Sequence, residues 1–183
     1  MRDGVEIGSR TLEYRRVGDR LIVRTVFDID FRFLGLTVYR YRQVSEEEWQ
    51  RGRLERLTTD TDDDGERHRL VLHRAGKALR GTYDDVPVTH ADTLWPASFW
   101  NEAITGHTLL IDPIAGGLLE VTVRKEGIQR VEVAGSSVMA RHFRMRGDLD
   151  RDVWYGPDGE LIQIMFEGRD GTPITIRRRS LPS

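Results

Sequence analysis

The sequence predicts an all-β fold: a single domain over residues 1–183 in which one antiparallel meander of about twelve strands curls into a barrel or half-barrel. Three observations carry this. The stretch 21–33, LIVRTVFDIDFRF, repeats at a period of two: Leu21, Val23, Thr25, Phe27, Ile29, Phe31 and Phe33 share one side, and Arg24, Asp28, Asp30 and Arg32 mark the other. Short turns built on Gly or Asp-Gly separate further alternating runs, and strands joined so briefly must be antiparallel, because a parallel crossover needs about a dozen residues or more. About twelve strands also exceed the roughly ten that an open twisted sheet holds, so the sheet has to curl or split. Two stacked sheets in a sandwich are the alternative. The curled form is preferred because 21–33, on the order of 43 Å long at about 3.3 Å per residue, can act as a seam.

In order, 5–7 and 9–16 read as an opening strand interrupted at Gly8, and Gly18-Asp19 turns into the long strand. Gly35 interrupts, and 36–44 resumes with Thr37, Tyr39, Tyr41 and Gln43 on one face. The acidic run Glu46-Glu47-Glu48 with Trp49 leads to a turn at Gly52. Runs 54–60 and 66–73 flank Asp62-Asp63-Asp64-Gly65, a hairpin signal, and a turn at Gly76 precedes 78–83. From 86 to 104 the alternation stops, Pro87 and Pro96 interrupt, and 98–104 reads as one or two helical turns capped by Ser98, so this segment is expected to be irregular and to cover one mouth of the barrel. Strands then return at 107–112, 118–124, 128–133, 138–146, 149–155, 160–167 and 172–179.

Composition excludes several functions. The 28 basic and 30 acidic residues leave a net charge of -2, which gives no electrostatic case for nucleic acid. Arg177-Arg178-Arg179 reads as the solvated end of the last strand. There is no cysteine, so no disulfide or thiolate site, and no apolar run approaches the roughly 18 residues of a membrane span. Asp60, Asp62, Asp64 and Gly65 begin a calcium-loop pattern, but Val71 stands where the loop needs its bidentate carboxylate. The five histidines show no ligand spacing, and no dinucleotide or phosphate loop is present, so neither metal nor cofactor is expected.

Three polar residues are candidates for acid–base work: His90 and Asp92, two apart in the irregular segment, and His142, which shares a strand face with Val138, Ala140, Arg144 and Arg146. That face is expected outward, because Met139, Phe143 and Met145 oppose it. Candidate ligand contacts are Phe27, Phe31, Tyr39 and Tyr41 on strands, with Trp95, Trp100 and Asn101 in the segment over the mouth.

The succession YRYR (39–42), TDDDGER (61–67), PASFWN (96–101), LLID (109–112), ARHFRMRGDLDRDVWY (140–155) and ELIQIMFEGRDG (160–171) resembles an uncharacterised bacterial family, domain of unknown function family 6134, over nearly the whole chain. More distantly it is similar to exported bacterial β-proteins that wrap a curved antiparallel sheet. The resemblance implies export, although no signal peptide precedes Asp3-Gly4 here, and it assigns no reaction. Family members carry Asn at position 64, Tyr at 99 and Pro at 102, where this chain has Asp64, Phe99 and Glu102.

The expected function is binding of a small, largely apolar molecule, with or without a carboxylate, in the cavity lined by 21–33. The alternatives are a cofactor-independent isomerase, cyclase or hydrolase in that cavity, and an envelope interaction protein with a filled core. Oligomeric state is not set by the sequence.

Overall fold

The computed structural model describes residues 5–33, 36–168 and 170–179, the side chains of 32, 33, 36 and 37 excepted. Gly35 and the side chains of Phe33 and Thr37 therefore fall outside the described residues. The chain is all-β, but the single meander of about twelve strands is corrected to two seven-stranded sheets, one of them curled into a half-barrel. The first holds β1 (Gly8–Val17), β2 (Arg20–Phe33), β3 (Leu36–Gln50), β4 (Arg53–Asp63), β5 (Glu66–Ala75), β6 (Ala78–Tyr83) and β7 (Val86–Ala91) in sequence order. The second holds β8 (Trp95–Pro96), β9 (Leu109–Ile111), β10 (Leu118–Val133), β11 (Ser136–Gly147), β12 (Arg151–Tyr155), β13 (Leu161–Glu167) and β14 (Pro173–Arg177), again consecutively. The break falls at 92–94, between β7 and β8, in the stretch where alternation is lost, and it keeps each sheet below the roughly ten strands at which an open sheet becomes strained by twist.

Two expectations along the first sheet are corrected. Strand β3 does not stop near residue 44 but runs on to Gln50, because Glu47 and Trp49 continue the inward alternation beneath an apparently charged run. The segment 86–104 is not irregular throughout: Val86–Ala91 pairs with β6 as the edge strand of its sheet, a position that tolerates Pro87 because an edge N–H need not be donated. Only the later part is helical, a short 3₁₀ helix at Glu102–Gly106 capped by Asn101 rather than Ser98.

Chain contacts define two compact units. One is Ile7–Pro96 with Ile111–Leu118, and the other contains Ala97–Leu110 and the chain from Leu119 onward. In the first unit one end of the sheet is a dry core of Val23, Trp49, Leu54, Leu57, Leu70, Leu72 and Leu79. In the second unit β11 is buried on both faces, since Ala140 and His142 are as inaccessible as Phe143 and Met145, while Met139 is exposed. The expectation that the His142 face points outward is thus corrected: Trp154, Val131, Val133 and Ile162 cover its Ala140 end. Among the described residues no helix is long and apolar enough to cross a membrane.

Candidate functional site

The buried face of the first sheet is not uniformly apolar, and its register shows why. Strand β3 aims Tyr39, Tyr41, Gln43, Ser45, Glu47 and Trp49 to that face, an unbroken file of hydrogen-bonding side chains. On one flank β2 sets Phe31, Ile29, Phe27, Thr25, Val23 and Leu21 opposite them, and on the other β4 sets Asp63, Thr61, Thr59 and Leu57. Cross-strand hydrogen bonds stitch the polar flank together: Tyr39 Oη donates to Asp63 Oδ1 at 2.7 Å, Gln43 Nε2 to Thr61 Oγ1 at 3.4 Å, and Thr59 Oγ1 to Ser45 Oγ at 3.2 Å. At the deep end Trp49 Nε1 donates to Glu47 Oε2 at 2.8 Å, and Glu47 is only 1% exposed. The result is a polar seam on β3 and β4 facing an apolar stripe on β2.

Exposure grades along this face. Thr25, Gln43, Ser45, Glu47, Thr59 and Thr61 are buried, whereas Phe27, Ile29, Phe31, Tyr39 and Tyr41 are half-buried. Burial, then the negative charge nearby of Tyr39, Asp63 and Asp112, pushes the Tyr41 phenol well above the ordinary tyrosine range, so it stays a hydrogen-bonding hydroxyl at any physiological pH. Arg10 from β1 lies over the Phe27 ring at 5.1 Å. Trp95, whose ring sits 4.4 Å from that of Trp49, lies at the other end, while the loop 112–117 approaches the sheet where Gly116 backs onto Tyr83 and Asp112 acts on Tyr41.

Of the residues singled out in the sequence, Phe27, Phe31, Tyr39 and Tyr41 share this face, and Trp95 lies against its deep end. Trp100 and Asn101 belong to the other compact unit. There Trp100 is core, and Asn101 Oδ1 accepts the Ala103 backbone N–H at 2.8 Å. His90 and Asp92 do not form a pair: His90 Nε2 meets the Gly116 carbonyl at 2.9 Å, and Asp92 Oδ2 accepts from Arg74 Nη1 at 2.5 Å. His142 is 5% exposed and stacked on Trp154 with ring centroids 4.2 Å apart. Its Nε2 lies 2.8 Å from Asp152 Oδ1, while Arg146 Nη2 holds Asp152 Oδ2 at 2.6 Å. Burial raises the Asp152 carboxyl, but the hydrogen bonds from Arg146, His142 and Arg144 outweigh it and keep the group below its usual range. Among the described residues, no group of three or more His, Asp or Glu is gathered as metal ligands.

The sequence reading passed over a second dyad. His68 Nδ1 lies 2.7 Å from Asp84 Oδ2, and Asp84 Oδ1 accepts the Arg69 backbone N–H at 2.7 Å. The His68 ring stacks on Tyr83 at 5.7 Å. The hydrogen bond to Asp84 holds the imidazole above its ordinary value and the carboxyl below its own. The available signal was the turn: Tyr83 and Val86 are paired across Asp84-Asp85, which brings position 84 back beside position 69.

These features define a class: an antiparallel β-protein whose buried sheet face pairs an aromatic stripe with a hydrogen-bonded polar seam. The chain belongs to the family described as Domain of unknown function (DUF6134), whose model matches residues 1–179. No curated protein and no solved structure matches it.

Proposed function

We propose that this protein binds a small amphipathic molecule on the buried face of its first sheet, with the apolar body against Phe27, Ile29 and Phe31 and the polar end on the seam of β3 and β4. The observation that carries this reading is the file Tyr39, Tyr41, Gln43, Ser45 and Glu47. A sheet interior built only for stability would place apolar side chains there, since hydroxyls and amides contribute little net stability when buried and cost much when left unpaired. Half-burial of the aromatic end supports the same reading. Asp63 and Glu47 stand on this face, so a neutral polar end suits it better than a carboxylate.

Thermal-shift screening against neutral amphipathic molecules tests the proposal. Stabilising compounds are expected, and their affinity should fall about tenfold in Gln43→Leu, the loss of roughly one hydrogen bond. Compounds that bind the variant as well as the parent would place the site elsewhere.

A second reading, acid–base chemistry without a cofactor, rests on His142. Asp152 orients its ring, and its Nδ1 is buried without a hydrogen-bond partner, leaving a nitrogen that can accept a proton. Nitrogen NMR of the imidazole tests it: a tautomer protonated on Nε2 supports the reading, and one protonated on Nδ1 removes it.

A further inference from the structure

The first unit carries a concavity of about 690 Å³ at the place where the β6–β7 hairpin ends short of the longer β4–β5 hairpin. Its walls bear eight charged side chains, and most cancel in pairs. Arg67 Nε lies 3.6 Å from Asp62 Oδ2, Arg69 Nη1 lies 3.3 Å from Asp60 Oδ1, and His68 is held by Asp84. Two are left over. Neither the Arg42 guanidinium nor the Asp85 carboxylate, both of which line the notch, closes an ion pair among the described residues, although Asp28 and Asp62 stand opposite Arg42 on β2 and β4.

The backbone holds Asp85 there at a cost. Asp84 and Asp85 occupy the left-handed region, with φ of 47° and 65°, in a two-residue hairpin turn where Asn-Gly is the usual solution. The turn fixes Asp84 on His68 and Arg69 and leaves Asp85 at the lip. Arg42 is on β3 and the turn follows β6, so three strand spacings, about 14 Å, separate the two backbones. A molecule that engages both groups at once therefore needs several bonds between its own opposite charges.

We propose that this notch binds a small zwitterion of the dipeptide or ω-amino-acid kind, its carboxylate on Arg42 and its ammonium on Asp85. A guanidinium forks onto a carboxylate in two parallel hydrogen bonds, which gives the anionic pole its orientation. The negative pole at Asp85 fits only a ligand carrying a positive group, which separates this site from a simple anion-binding patch. Thr61 lies at the border of this notch and the buried face, but Arg42 and Asp85 do not belong to that face's polar seam, and either assignment can fail alone.

The test is an NMR titration of the intact protein with diglycine, acetate and ethylammonium, read at the Thr82 and Asp85 amides. Diglycine should give saturable shifts at least about tenfold tighter than either half-ligand. Arg42→Gln and Asp85→Asn should each weaken diglycine by a similar factor while leaving the thermal melt unchanged, both residues being exposed. Acetate binding as tightly as diglycine, no saturable shift with any of the three, or indifference to both substitutions overturns the proposal.

Discussion

Glu47 is the residue on which the polarity of the buried face is most exposed to test. Its carboxylate is almost wholly inaccessible and accepts the Trp49 indole N–H. Glu47→Ala should destabilise the fold by about 1–3 kcal/mol in denaturant titration, because it leaves a buried donor without its acceptor. His68 and Asp84 make a prediction about pH. The folded His68 value is raised, so its contribution to stability is fully present below the unfolded value of about 6.5 and is lost as pH rises through the higher folded value. The folded Asp84 value is lowered, so its contribution is present above about 3.9 and lost as pH falls through the lower folded value. Asp84→Asn should therefore move the His68 titration, followed by NMR, toward lower pH. An unchanged titration would show that the pair is not formed in solution. None of this was legible at the level of the residue, because His68 and Asp84 are sixteen apart and meet only through the β5–β6 register.

At the scale of elements, the length and facing of β2 were legible and the length of β3 was not. Val23 and Thr25 are buried as the alternation requires, but Phe27, Ile29 and Phe31 are only half-buried, so the apolar stripe runs out of the dry core into the candidate site. Phe27→Ala should then cost less than the about 3–5 kcal/mol of a fully buried phenylalanine, whereas Leu57→Ala, in the dry core, should cost about 2–5 kcal/mol. Equal and large losses from both would contradict a half-open aromatic end. Three consecutive glutamates concealed the second half of β3, since charge is read as surface until the register shows that every second one points in. Pro87 concealed β7 for a related reason: proline argues against a strand unless the strand is known to be an edge. Gly81 sets the spacing of β5 and β6, for a Cβ there would stand 1.7 Å from the Val71 carbonyl oxygen. Gly81→Ala should cost about 1–3 kcal/mol or more by thermal melt, as overpacked positions do.

For the whole molecule, the all-β class and the antiparallel turns followed from local signals, but the division into two sheets of seven did not. Strand count shows only that one open sheet is too large. Where it breaks depends on which pairings close, and 92–94 gives no positive signal beyond its loss of alternation. The cover over the buried face was only partly legible for the same reason: Trp95 lies against its deep end, but the loop 112–117, which reaches Tyr83 and His90 through Gly116, comes from far along the chain. The binding assignment is tested most directly by native mass spectrometry of the protein purified gently from its own cells, alongside Gln43→Leu prepared in the same way. A retained non-covalent mass is expected on the parent and should be reduced or lost in the variant. A parent that carries no added mass, together with a crystal structure showing Phe27, Phe31, Tyr39 and Tyr41 packed against one another with no space between them, would contradict it.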